Sequence, residues 1–105
     1  MSPGERLARR IAAALPELVA GTSRFGAGAR PAWFAGRRAI AHLHEDGDAA
    51  ALLDVRLPRV AQRALAGDPR VVPRRSASAW IEVRVATDDD VDDALAWIRA
   101  AAAQG

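Results

Sequence analysis

A chain of 105 residues, half of them hydrophobic but with only three tryptophans and two phenylalanines, can fill one modest core and not two. It has no cysteine, and all fifteen basic residues are arginine, which excludes disulfides, thiol catalysis, thiolate metal sites, Schiff-base chemistry and a lysine-bearing phosphate loop. The formal net charge is +2, so a pI near 10.9 reflects arginine's high pKa and not a strong positive field.

Residues 2–15 read as a helix. Ser2 caps it, Pro3 suits the first turn, Glu5 completes a capping box, and Leu7, Ile11, Ala14 and Leu15 recur at helical spacing before Pro16 ends it. Residues 22–26 form a first strand, Gly26, Gly28 and Pro31 a loose turn, and Ala32-Trp33-Phe34-Ala35 a second strand joined by Gly36-Arg37 to a third over 38–44. Asp46-Gly47 is the pair that a two-residue hairpin favours, because both central positions take positive φ. Residues 49–55 are then the returning strand, against the helical preference of their alanines.

Pro58 opens a second helix over 58–66, which Gly67 and Asp68-Pro69 close. Val71-Val72 is a short strand. From Ala79 to Val85 the pattern alternates strictly: Ala79, Ile81, Val83 and Val85 face one way, and Trp80, Glu82 and Arg84 the other. Thr87 caps a last helix with Asp88, Asp89 and Asp90 in its first turn, and Val91, Ala94, Leu95, Ile98 and Ala102 form its apolar stripe. The expected fold is α+β: a largely antiparallel sheet of about five strands with helices packed on one face, in a single domain over 1–105. The other face is open or covered by a partner.

No apolar run approaches the roughly 20 residues of a membrane span. The opening Met1–Arg6 lacks the basic segment and apolar core of a secretory signal, which predicts a cytoplasmic protein.

The chain's two histidines lie in Ala41-His42-Leu43-His44. On a strand, alternate side chains share a face, so His42 and His44 project together while Ala41 and Leu43 project oppositely. From Gly21 onward the order of Arg24-Phe25-Gly26, Gly36-Arg37-Arg38-Ala39-Ile40-Ala41-His42-Leu43-His44, Leu57-Pro58-Arg59, Ser78-Ala79-Trp80-Ile81 and Asp90-Val91 resembles the small bacterial luciferase-like family, related to the fungal luciferases. The resemblance covers about four-fifths of the chain. It implies an α+β fold of this size but no secure activity. Fungal relatives oxidise a hydroxylated pyrone with molecular oxygen, whereas most bacterial members have no assigned reaction. Two departures stand out. Bacterial relatives often carry a histidine where this chain reads Val71-Val72-Pro73-Arg74-Arg75, and their Ser-Gly-Trp is Ser78-Ala79-Trp80 here. A fainter similarity is to the MmcQ/YjbR-like α+β proteins.

The residues and the resemblance together give the expected site. His42 and His44 are the candidate proton acceptors, Trp80 a stacking surface on the polar sheet face, and Arg37 or Arg38 an anion contact. The ligand expected is a small aromatic or anionic molecule. No cofactor is assigned, since neither a flavin nor a nicotinamide phosphate loop is present, and an oxygenase would draw its electrons from the substrate. Two same-face histidines with Asp46 or Asp48 also have metal-ligand character, but no third ligand is visible, so no metal site is assigned. The alternative function is a non-catalytic interaction domain that dimerises through the open sheet face. DNA binding is a weaker alternative, because the arginines are dispersed and aromatics for base stacking are few.

Overall fold

The computed structural model describes residues 1–24, 29–73 and 78–104. The expected strand end at Phe25-Gly26, Gly26 and Gly28 of the expected turn, and the Arg74-Arg75 pair lie outside the described residues, whereas Pro31, expected in that turn, lies in a strand opposite Thr22. The elements run α1 (Pro3–Ala14), β1 (Val19–Arg24), β2 (Ala29–Ala35), β3 (Arg38–Asp46), β4 (Ala51–Arg56), α2 (Arg59–Ala64), β5 (Trp80–Val85) and α3 (Asp88–Ala102). The five strands form one antiparallel sheet, as expected, in the order β1-β2-β3-β4-β5. α1 and α3 lie side by side on one face of it. No helix among the described residues is long and apolar enough to cross a membrane.

α1 and α3 form where their caps and stripes dictate. The Ser2 hydroxyl accepts from the Glu5 N–H at 3.1 Å, and Leu7, Ile11 and Leu15 turn one apolar edge of α1 into the core. Thr87 and Asp90 make a reciprocal capping box at the start of α3, which buries Val91, Ala94, Leu95, Ile98 and Ala101. Ion pairs tie the helices together: Arg6 to Asp88 at 3.1 Å and Arg10 to Asp92 at 2.6 Å. From the sheet, Leu43, Leu53, Val55, Ile81, Val83 and Val85 meet this layer, and Trp33 is buried in the same core. Burial of each such side chain is worth about 1.5–3 kcal/mol.

The two hairpins on either side of β3 differ. Gly36 has φ 62° and Ala35 pairs with Arg38, so Gly36-Arg37 is the expected tight connection, with glycine supplying the positive φ. Asp46-Gly47 does not form the expected two-residue turn. Gly47 lacks a positive φ, β3 continues through Asp46, and residues 47–50 make a longer link in which the Gly47 N–H donates to the Ala50 carbonyl at 2.9 Å. The reason lies in α1. The Asp46 carboxylate accepts from the Ser2 hydroxyl at 2.7 Å and from the Gly4 N–H at 3.0 Å, satisfying an otherwise orphaned donor at the helix start. That engagement holds Asp46 in the strand, on the helix side. A β-bulge between Leu43 and Glu45 completes the shift in register.

α2 is shorter than its expected span. Gln62 donates to the Leu57 carbonyl at 2.9 Å and the Ser78 carbonyl at 2.8 Å, tying α2 to the approach to β5. The expected short strand at Val71-Val72 is a single bridge, Val71 to Val83, flanked by Val72 N–H to Glu82 carbonyl and Arg84 N–H to Arg70 carbonyl bonds of 2.8 Å each. It covers the free edge of β5. Arg70 then anchors this segment to α3 through Asp90 (2.9 Å) and Asp93 (2.8 Å), with its guanidinium 5.0 Å from the Trp97 ring centre, while Asp68 of its own segment holds it at 2.8 Å. Hydrogen bonds from the Arg70 side chain and N–H lower the Asp68 pKa to about 2. Burial opposes the charge on Asp90. The Ala86 and Thr87 N–H groups, Arg70 and the Thr87 hydroxyl outweigh it and hold the Asp90 pKa below the usual carboxylate range.

Candidate functional site

The face of the sheet turned away from the helices carries the chemistry. In the register of β3, β4 and β5, His42 is opposite Asp54 and Asp54 is opposite Glu82. The neighbours of these residues along each strand, Ala41 and Leu43, Leu53 and Val55, Ile81 and Val83, point into the core. Alternation therefore sets His42, Asp54 and Glu82 in one row on the outer face. His42 and Asp54 are nonetheless only 3% and 4% exposed.

His42 Nε2 lies 2.6 Å from Asp54 Oδ2, a short charge-assisted contact. His44 joins the same carboxylate oxygen from the next outward position, with Nδ1 at 3.7 Å. That is beyond hydrogen-bond length but within electrostatic reach. The two imidazoles differ in access, because the His44 side chain is 48% exposed. Trp80 shares the face, as its alternation predicts, with its ring centre 5.0 Å from that of His42 and the planes inclined at 50°. One buried carboxylate thus stands between a buried and an exposed imidazole, beside a half-buried indole.

The bulge shapes this arrangement. It falls at His44 itself and leaves that residue outside the ladder that pairs Leu43 with Leu53 and Glu45 with Leu52, while His44 Nδ1 still faces the Asp54 carboxylate that His42 contacts. A guanidinium N–H of Arg30, from β2, donates to the His44 carbonyl and holds the bulged residue in place.

A family model described as the luciferase domain matches residues 37–101. The chain belongs to the luciferase-domain family. The matched span of this luciferase domain includes His42, His44, Asp54, Trp80 and Glu82, so the whole cluster lies within the family's common part. No curated protein and no solved structure matches the chain.

Of the expected site residues, the structure brings His42, His44 and Trp80 together. Arg37 and Arg38 lie at the β2–β3 turn. Arg38 donates to the Ala101 carbonyl at 3.2 Å and to the Gln104 carbonyl, so it caps the C-terminus of α3 on the helix side of the sheet. Arg37 is exposed at the turn. Asp46, considered beside the histidines as a metal ligand, serves α1 instead. Asp54 is not among the residues that the sequence singles out, and Glu82 figures there only as a residue facing away from the apolar side of β5. An available signal was the single charged residue between Leu53 and Val55 in β4, which alternation sends to the outer face.

Proposed function

We propose that this luciferase domain binds a small hydroxylated aromatic or pyrone-like molecule on the outer sheet face and removes a proton from it. The observation that supports this best is the exposed His44 imidazole with Nδ1 directed at a buried carboxylate that His42 holds at 2.6 Å. An exposed imidazole can accept a proton from a ligand hydroxyl, and a neighbouring carboxylate gives the resulting cation a counter-charge. In this reading His44 meets the ligand. Asp54 faces His44 as a counter-charge at 3.7 Å, and His42 positions Asp54 at 2.6 Å. Trp80 gives the ring a stacking surface. Deprotonation of a ring hydroxyl yields an electron-rich anion. An oxygenase-type reaction follows if that anion passes its electrons to molecular oxygen, with the substrate as the reductant.

The test is calorimetry of the chain with a hydroxylated pyrone. Loss of about tenfold or more in affinity is expected for His44→Ala and for Trp80→Ala, with the far-ultraviolet circular dichroism unchanged. No binding by the wild-type chain, or unchanged affinity in both variants, removes the reading.

A further inference from the structure

The outer face has a second capacity that goes beyond proton transfer and does not depend on the nature of the organic ligand. We propose that His44, Asp54 and Glu82 form a binding site for one first-row divalent cation, with Zn2+ the best match. One ligand atom from each residue lies within 4.8 Å of the other two. The three come from adjacent strands β3, β4 and β5, and the pairing of Asp54 with Glu82 sets the two carboxylates on one rung. The third ligand, which adjacent sequence positions do not supply, arrives across the sheet.

The spacing fits after a small closure. Zn2+ binds imidazole nitrogen and carboxylate oxygen at about 2.0–2.2 Å, so donors around a tetrahedral ion are about 3.4 Å apart. The required contraction is at most about 1.4 Å. His44 supplies it by turning its 48% exposed side chain, and Glu82 by turning a half-buried one. Asp54 is the fixed point, buried and oriented by His42 Nε2 at 2.6 Å. An outer partner that orients a ligating group is a regular feature of metal sites. His42 is thus a positioning residue and not a ligand. The β-bulge that sets His44 outside the ladder is an independent feature of the same place, and bulges concentrate beside functional sites, where they re-aim a side chain.

The donor set narrows the ion. One imidazole and two carboxylates suit Zn2+, Mn2+, Fe2+ or Co2+. They do not suit Cu+, which prefers sulfur ligands, and the imidazole disfavours Ca2+ and Mg2+. Three protein ligands leave coordination positions for water or a ligand oxygen, the pattern of reactive rather than purely structural sites. His44 cannot be ligand and base at once through the same lone pair. With the ion bound, the ion rather than the imidazole stabilises a deprotonated hydroxyl.

The experiment is titration of the chelator-treated 105-residue chain with Zn2+ by calorimetry and with Co2+ by visible absorption. One equivalent of Zn2+ and Co2+ ligand-field bands are expected. His44→Ala and Glu82→Gln, verified as folded by circular dichroism, should each weaken Zn2+ at least about tenfold, and Asp92→Asn, on the exposed side of α3, should leave it unchanged. Absence of Zn2+ binding, or wild-type affinity in both site variants, overturns the proposal. Pyrone binding by the same chelator-treated chain is scored separately, so the failure of one reading is distinguishable from the failure of the other.

Discussion

Gly4→Ala separates the tertiary structure from local helix propensity, because the two predict opposite signs. Gly4 is in the first turn of α1, where alanine in place of glycine ordinarily stabilises by about 0.5–1 kcal/mol. In this fold a Cβ at Gly4 would fall 2.5 Å from Asp46 Cγ and 2.6 Å from each carboxylate oxygen. The carboxylate must withdraw by about 1 Å to restore van der Waals contact near 3.5 Å. That movement breaks its bonds to the Ser2 hydroxyl at 2.7 Å and the Gly4 N–H at 3.0 Å. Hydrogen bonds to a charged group are worth about 1.5–3 kcal/mol each, and about 1 kcal/mol each is reasonable at this partly exposed position. The net effect is a destabilisation of about 1–1.5 kcal/mol after the propensity gain. Urea unfolding followed by circular dichroism should show a lower midpoint with an unchanged slope, and the melting temperature should fall by roughly 4–10 °C. In an Asp46→Ala background the same substitution should be neutral or stabilising. A Gly4→Ala chain at least as stable as wild type would refute the docking of Asp46 on α1.

Two other substitutions probe the core and the charge cluster. Leu53→Ala, at a fully buried position in the middle of β4, should cost about 2–5 kcal/mol in urea unfolding, and a loss under 1 kcal/mol would contradict the packing of the helices on this face. The Asp68 pKa is depressed from 3.8 to about 2 in the folded chain, so its contribution to stability is present above pH 4 and is lost as the pH falls toward 2. Asp68→Asn should therefore flatten the acid limb of a plot of stability against pH, and limbs of equal steepness in variant and wild type would count against the Arg70 cluster.

Much of the candidate site was legible because strand alternation is local. His42 and His44 share a face, and Trp80 takes the polar side of β5, for the same reason: successive side chains point to opposite sides of any strand. The helix caps at Ser2 and Thr87 were legible too, since each depends on a few consecutive residues. Asp54 was hidden by register. A two-residue turn at Asp46-Gly47 would have put His42 opposite Ala51, whereas the longer link and the bulge put it opposite Asp54. Arg38 read as an available anion contact until the end of α3 arrived to accept its hydrogen bonds.

The sequence by itself determined the element order, the apolar side of α1, β3, β5 and α3, and the shared direction of the two histidines, because these follow from the periodicity of the backbone; it did not determine α2, where Val60 is exposed. Only the tertiary structure decided which residue stands across from which. Asp46 is drawn to a helix 42 residues away in the chain, and that contact sets how β4 returns along β3. The buried carboxylate between two imidazoles, and Glu82 beside it, follow from that return.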